Sequence, residues 1–314
     1  MNELVSVIMP TFNGASSGFL AQSIESVLNQ TYKNLEFIIV NDCSTDNTLE
    51  ILQEYAKKDH RIQIINNQKN QKLPQSLNIG FNNAKGKYFT WTSDDNYFHF
   101  SAIEKMVHYL EYNISKILVC CDFEIIGLKG KKNHFIVSDK KRDLIEYDCI
   151  GACFLYKSNI AKLVGNYNPQ EFKVEDYEYW LRMGLYGDFG AIHETLYTYR
   201  FQPQSLTMTA KDGEIANKSH DLITKFLPLY LKKFPHINLT TISKIQLIIL
   251  NNNNIKEQIK IIWKKSNKVE QRKIYVFLRD RFKNSKKEIY SEIIKYIGLK
   301  YRIKFYLFRK KYKI

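Results

Sequence analysis

Short apolar runs alternate with amphipathic helical stretches over the first 95 residues. Leu4–Met9, Leu35–Val40, Arg61–Asn66 and Tyr88–Trp91 have the length of buried strands rather than of helices. Between the first two, Ser23, Ile24, Val27 and Leu28 fall on one helix face, and Leu49, Leu52 and Tyr55 form a second apolar stripe. Thr45 and Asp46 can cap that second helix, Leu73–Ala84 predicts a third, and Gly86 turns the chain into the fourth strand. A βαβαβαβ order requires parallel pairing through right-handed crossovers, so the expected class is α/β, a mostly parallel sheet flanked by helices.

Beyond Asp95 the alternation breaks. The pattern predicts a helix over Ile103–Tyr112 and a long strand over Ile117–Ile126. A turn at Lys129–Asn133 then makes a hairpin with His134–Val137. Further strands are expected at Gly151–Tyr156, Phe189–Ile192 and Thr195–Phe201, with a short helix at Asp176–Leu185. From Lys211 onward the chain is helical in pattern, rich in Lys, Ile and Asn and short of glycine. Two regions follow: an α/β domain over 1–210 and a basic helical segment over 211–314.

Charge sharpens that division. Residues 211–314 carry 26 Lys and Arg against 8 Asp and Glu, whereas residues 1–210 carry 21 against 24. The whole basic excess therefore lies in the last third. A nucleic-acid enzyme more often spreads basic residues around its crevice, and no nucleic-acid module is legible, so no nucleic-acid partner is expected. No window reaches the ~18 uninterrupted apolar residues of a membrane-spanning helix. Strand-like residues follow Met1 without a basic leader, so no signal peptide is expected. The five cysteines, Cys43, Cys120, Cys121, Cys149 and Cys153, match no zinc spacing and are expected as buried free thiols in a reducing cytosol.

The chemistry collects where strands end. The first run ends in Pro10-Thr11-Phe12-Asn13, the second in Asn41-Asp42 and the fourth in Thr92-Ser93-Asp94-Asp95-Asn96. In an open parallel sheet these ends meet in one crevice, where such folds bind ligands. Asp42 suits either a turn or the imide N–H of a uracil, which a carboxylate accepts well. Adjacent Asp94 and Asp95 repel unless hydrated, protonated or bound to a cation, and a cation there would also hold a diphosphate. Glu175 and Asp176 open an aromatic-rich helix, where acidic residues favour the dipole and an ionised carboxylate can also take a proton from an attacking hydroxyl.

Together these motifs resemble the family-two inverting glycosyltransferases of the GT-A fold, over about residues 3–207. The resemblance rests on Val5–Asn13, Ser26–Tyr32, Glu36–Asp42 with Ser44–Asp46, Ser93-Asp94-Asp95, Gly151–Tyr156 and Val174-Glu175-Asp176-Tyr177. It implies a GT-A type, Rossmann-like sheet and a nucleotide-sugar donor. Pro10, Thr11, Phe12, Asn13, Asp42, Lys72 and Asp94 would lie around the nucleotide. It implies Asp95 as ligand of a divalent metal, manganese or magnesium, and Asp176, beside Glu175, as catalytic base. Many members carry a histidine two residues after a Tyr-Arg pair, but Tyr199-Arg200-Phe201 is followed by Gln202, so a metal would lean more on diphosphate and water. The reaction implied is inverting transfer from a nucleotide diphosphate sugar, a UDP-sugar, to a hydroxyl of a glycan or lipid-linked acceptor, in surface polysaccharide or lipid-linked glycan synthesis. The alternatives are an inactive sugar-nucleotide or glycan-binding module and a sugar nucleotidyltransferase, for which Asn13–Gly18 is a poor phosphate loop. Oligomeric state is left open.

One stripe reaches outside the catalytic motifs. In a single helix Ile293, Ile297, Tyr301, Phe305, Phe308 and Tyr312 share a face, flanked by Lys295, Lys300, Arg302, Lys304 and Arg309 among others. That is the pattern of an interfacial helix, and predicts contact of residues 290–314 with an anionic membrane. A cytoplasmic protein peripheral on the inner face of the plasma membrane is the corresponding expectation.

Overall fold

The computed structural model describes residues 3–278, apart from 128–131, 203–204, 212, 241–243, 246–254, 269, 272–273 and 276. The stripe over residues 293–312 lies outside the described residues. The chain divides into two compact units, Met1–Ser219 and His220–Ile314.

Unit one is built on a mixed sheet of order β3-β2-β1-β4-β8-β6-β9-β5. Its parallel half consists of β1 (Val5–Thr11), β2 (Leu35–Asn41), β3 (Ile62–Asn66) and β4 (Tyr88–Trp91), close to the predicted limits. The crossovers are α1 (Leu20–Leu28), α2 (Thr48–Lys58) and α3 (Leu73–Asn83). β1 lies between β2 and β4 and is buried along its whole length, which is why it reads as a continuous apolar run. Helix α1 buries Leu20, Ser23, Ile24 and Val27, while Leu28 is only half-buried. Asp46 caps α2 as expected, its Oδ1 accepting from the Thr48 N–H at 3.1 Å.

The second half mixes antiparallel pairs with one long parallel pair where the sequence pattern loses its period. It contains β5 (Tyr97–Phe98), α4 (Ala102–Tyr112), β6 (Lys116–Ile126), β7 (Lys132–Phe135), α5 (Lys141–Leu144), β8 (Phe154–Lys157), α6 (Ser158–Val164), α7 (Glu175–Met183) and β9 (Asp188–Arg200). β8 runs antiparallel to both β4 and β6, and β7 makes the expected hairpin with β6. The two strands expected over 189–201 are one strand. A register shift opposite Cys121 and Phe123 absorbs the polar His193–Glu194 pair that looked like a break. The strand expected from Gly151 begins only at Phe154. Gly151 has φ +68°, and a Cβ there would lie 2.4 Å from the Phe123 ring, so the chain turns under that ring before it pairs.

All five cysteines are free; four are buried, but Cys43 is half-exposed, at φ +64°, in the loop after β2. Helix α8 (Glu214–Lys233) runs across the unit boundary, and α9 (Ile255–Lys265) belongs to unit two. Within unit two, Leu222, Ile223, Phe226 and Tyr230 of α8 are buried, as are Ile259 and Trp263 of α9. Among the described residues no helix is long and apolar enough to cross a membrane.

Candidate active site

Pro10 opens the crevice. β1 pairs with β4 only as far as Ile8 opposite Trp91, while its pairing with β2 continues to Thr11. The Ile8 carbonyl accepts from the Thr92 N–H at 2.9 Å, so residue 10 faces the same neighbour and, being proline, has no N–H to offer it. The two strands part there. Thr11 then reaches across the gap, its hydroxyl donating to Asp94 Oδ2.

Behind Thr11 the chain is held by its neighbours. Asn13 adopts φ +55°, and its Oδ1 accepts from the Thr45 N–H at 2.8 Å while its own N–H donates to Ser44 Oγ at 2.9 Å. Ala15 and Ser16 donate their N–H groups to Thr48 Oγ1 and Asp46 Oδ2, at 3.0 and 3.1 Å. Gly14, buried between these ties, was not singled out from the sequence. A Cβ on it would lie 2.5 Å from both Asp94 Oδ2 and Thr11 Oγ1. Phe12, 50% exposed, presents its ring to solvent.

Asp42 is buried at the end of β2, where it organises the following loop. Its Oδ1 accepts from Asn67 Nδ2 at 2.8 Å and the Gln71 N–H at 2.7 Å, and its Oδ2 from the Lys72 N–H at 3.0 Å. Lys72 therefore meets Asp42 through its main chain, at φ +70°, while its side chain is exposed. Beyond these loop contacts, Oδ2 keeps room for one more donor.

The acidic pair follows β4. Burial pushes the Asp94 carboxyl up to about 7, with the Thr11 hydroxyl opposing and Asp95 adding to the rise. Asp95 is also raised by burial, against the Ser93 hydroxyl and the charge of Arg200. Arg200 does not neutralise the pair directly. Its guanidinium donates to the Asp95 main-chain carbonyl and to Gln22 Oε1, and lies over the Phe19 and Tyr97 rings at 4.2 and 4.8 Å. Its N–H donates to Asn96 Oδ1 at 2.7 Å, so β9 fixes the acidic loop from behind. Among the described residues no side-chain cation pairs with either carboxylate, a donor set that suits a hard divalent ion completed by water and phosphate. Gln202 occupies the position where the histidine was missed, and among the described residues no cluster of three His, Cys, Asp or Glu side chains could hold an ion alone.

Helix α7 begins with the second acidic pair. Its N-cap, Val174, offers no side-chain cap, and Glu175, Asp176 and Glu178 fill the first turn. Glu178 is spent on structure, in an ion pair with Arg182 at 2.8 Å. Glu175 is 3% exposed, its Oε2 has no hydrogen-bond partner among the described residues, and burial together with Asp176 pushes it up to about 8. Asp176 Oδ1 accepts from the Tyr177 N–H at 2.7 Å, and burial raises this carboxyl too. Burial raises the Tyr199 hydroxyl on β9, and the charges of Asp95 and Asp176 both add to the rise. Asp148, on the stretch between α5 and β8, is pushed up to about 7 by burial, with the charge of Asp176 adding to the rise. It sits in a region where the sequence shows no motif.

The model of the Glycosyl transferase family 2 matches residues 6–164. An uncharacterized glycosyltransferase of Haemophilus influenzae is 32% identical over 78% of this chain and 79% of its own length. One from Rickettsia typhi is 31% identical over 66% and 67%. Among solved structures, S. aureus TarS 1–349 in complex with UDP-GlcNAc aligns with a TM-score of 0.61 at 15% identity, covering 88% of this chain and 81% of that one. The mannosyltransferase PcManGT from Pyrobaculum calidifontis, in complex with GDP-Man and Mn2+, aligns at 0.52 and 14% identity, over 74% and 65%. These likenesses bear out the expected GT-A type α/β fold. Sheet, crevice and relatives define a glycosyltransferase. The chain belongs to glycosyl transferase family 2.

Proposed function

We propose that this protein is an inverting glycosyltransferase that takes a sugar from a UDP-sugar and passes it to a hydroxyl of a glycan or lipid-linked acceptor. The observation that supports the reading is the Thr11–Asp94 hydrogen bond across the gap at the end of β1, with Asp42 at the end of the neighbouring β2 and Asp176 in the first turn of α7. Asp42 accepts the uracil imide N–H and the Phe12 ring covers the nucleotide. Asp94, steadied by Thr11, accepts from a ribose or sugar hydroxyl. The TarS complexes with UDP and UDP-GlcNAc support a uridine donor by likeness of fold.

Transfer is a single displacement. The acceptor oxygen attacks the anomeric carbon, the bond from that carbon to the diphosphate oxygen breaks, and Asp176 takes the hydroxyl proton. Inversion needs this one carboxylate beside the acceptor, whereas retention by double displacement needs a nucleophile on the opposite face. Asp95 would hold a manganese or magnesium ion, which when bound neutralises charge on the leaving diphosphate. Arg200 keeps Asp95 in place from its main-chain side. A lipid-linked acceptor in surface polysaccharide or lipid-linked glycan synthesis fits the basic, aromatic stripe over 293–312, which would hold the enzyme at the inner face of the membrane.

The test is nucleotide release from a panel of sugar nucleotides, with manganese, magnesium or chelator, by wild type and Asp95→Ala. The expected result is release from a uridine donor that falls by orders of magnitude in chelator and in the variant. Full activity in chelator refutes the metal role, and release from no donor leaves the inactive-module alternative standing.

A further inference from the structure

The turn that leads into Glu175 and Asp176 carries a lysine where such a turn wants glycine. Phe172 sits at φ −49° and ψ 132°, Lys173 at φ +78°, and the Val174 N–H donates to the Glu171 carbonyl at 2.9 Å. Those angles and that bond describe a type II turn over Glu171–Val174. Type II brings the carbonyl of its second residue to the same side as the Cβ of its third, which is why glycine or asparagine usually stands third. Rotating the Phe172–Lys173 peptide would give a type I turn, which accepts lysine without strain. It would also move the Phe172 carbonyl to the opposite side.

Helix α8 holds the strained form by both of its distinguishing groups. The Lys218 ammonium donates to the Phe172 carbonyl at 2.7 Å, and the Lys173 ammonium donates to Glu214 Oε2 at 2.9 Å. Glu214 and Lys218 stand four residues apart in α8 and so share a face. An exposed ion pair between two mobile side chains contributes little. This pair is better anchored. Glu214 Oε2 also accepts from the Lys211 N–H at 3.0 Å, while the Glu214 N–H donates to the Lys211 carbonyl at 2.9 Å. The Lys173 side chain is 14% exposed, and its ammonium holds the Glu214 carboxyl below the usual range. Glu175, two residues after Lys173, is the first residue of α7, so a flip of the turn would re-aim the start of that helix. Both α8 residues lie beyond residue 210, in the stretch that reads from sequence as a basic tail.

We propose that Glu214 and Lys218 are positioning residues for sugar transfer: they keep the 171–174 turn in its type II form and so set where Glu175 and Asp176 enter the site. This rests on Asp176 being the base. Neither residue touches substrate in this role; each acts through the backbone before α7.

The experiment compares full-length wild type with Glu214→Gln, Lys218→Met, Lys218→Arg and Lys218→Met combined with Lys173→Gly. Nucleotide release from UDP-GlcNAc into water, with manganese, gives kcat, and calorimetry gives UDP affinity. NMR of chains labelled at Phe and Lys reads the turn without any turnover, because the Phe172 α-proton lies close to the Lys173 amide proton in type II and far from it in type I. Lys218→Met should weaken that contact and lower kcat by roughly five- to thirtyfold, the population penalty of a side chain in the left-handed region, with UDP affinity unchanged. Glu214→Gln keeps one of the two ties and should fall between. Lys218→Arg should retain contact and rate, since a guanidinium also donates to a carbonyl. Glycine adopts the positive φ unaided, so adding Lys173→Gly to Lys218→Met should restore the rate. An unchanged contact in Lys218→Met overturns the proposal, as does a double variant no faster than Lys218→Met. Full release by Asp176→Asn overturns the assignment of the base, a failure that the NMR contact distinguishes from failure of the turn.

Discussion

Gly14→Ala is the sharpest single test of the donor side, because the added methyl has one place to go. Its Cβ would lie 2.5 Å from Asp94 Oδ2 and from Thr11 Oγ1, where ordinary contact begins at 3.4 Å, so each oxygen must retreat by about 0.9 Å. The backbone cannot yield instead: the N–H groups of Asn13, Ala15 and Ser16 are tied to Ser44, Thr48 and Asp46. Gly14 has no positive φ, so the substitution adds no backbone strain and acts through the clash alone. What yields is the hydrogen bond from Thr11 to Asp94. A hydrogen bond to a charged group contributes about 1.5–3 kcal/mol, and Asp94 is also turned from its ligand-facing position. UDP affinity should fall about ten- to a hundredfold. Crowding of a tight site costs a further ~1–3 kcal/mol of stability, so the variant remains folded at 25 °C if the wild type is ordinarily stable. Calorimetry with UDP and manganese reads the first effect and urea unfolding the second. A UDP affinity within about a factor of two of wild type, in a folded variant, refutes the placement of the donor against Thr11 and Asp94.

Asp176→Asn should retain donor binding and lose transfer by about a thousandfold or more, the usual range for a removed base. Glu175→Gln, by contrast, should keep measurable turnover because Glu175 is 3% exposed, and the opposite pattern would reverse the pair. Arg200→Lys keeps the charge but loses the fork that joins Gln22 and the Asp95 carbonyl, so it should cost about 1–3 kcal/mol in urea unfolding and weaken manganese-supported turnover. Unchanged metal dependence in that variant would separate Arg200 from the acidic loop. The full chain should sediment with anionic vesicles at low salt and less at high salt, whereas a version ending near Lys287 should not; equal binding by both sinks the interfacial helix.

The parallel half of the sheet was legible because its signals are local. Burial on both faces gives β1 and β2 their unbroken apolar runs, and short loops between strands and helices leave a parallel order as the consistent topology. The strand ends also marked the candidate site residues, since Thr11, Asp42 and the Asp94-Asp95 pair lie at or just beyond the ends of apolar runs. The second half was less legible. There His193 and Glu194 interrupt the pattern of a strand that is in fact continuous, and the turn at Gly151 hides inside what looks like strand.

Sequence alone thus determined the fold class, the family and the identity of most charged groups around the crevice, because periodicity and motif order need only neighbours along the chain. Which side chains meet across space was decided by tertiary structure. The stretch before Asp148 lies against α7 because Tyr177 binds the Leu144 carbonyl, and the turn after it needs Gly151 because Phe123 occupies the room a side chain there would need. Arg200 supports Asp95 from 105 positions away, and Gly14 matters only through two oxygens that packing brings within 2.5 Å. Spacing along the chain carries no record of such distances: they arise when the β1–β4 pairing ends at Ile8 and β9 brings Arg200 against the acidic loop.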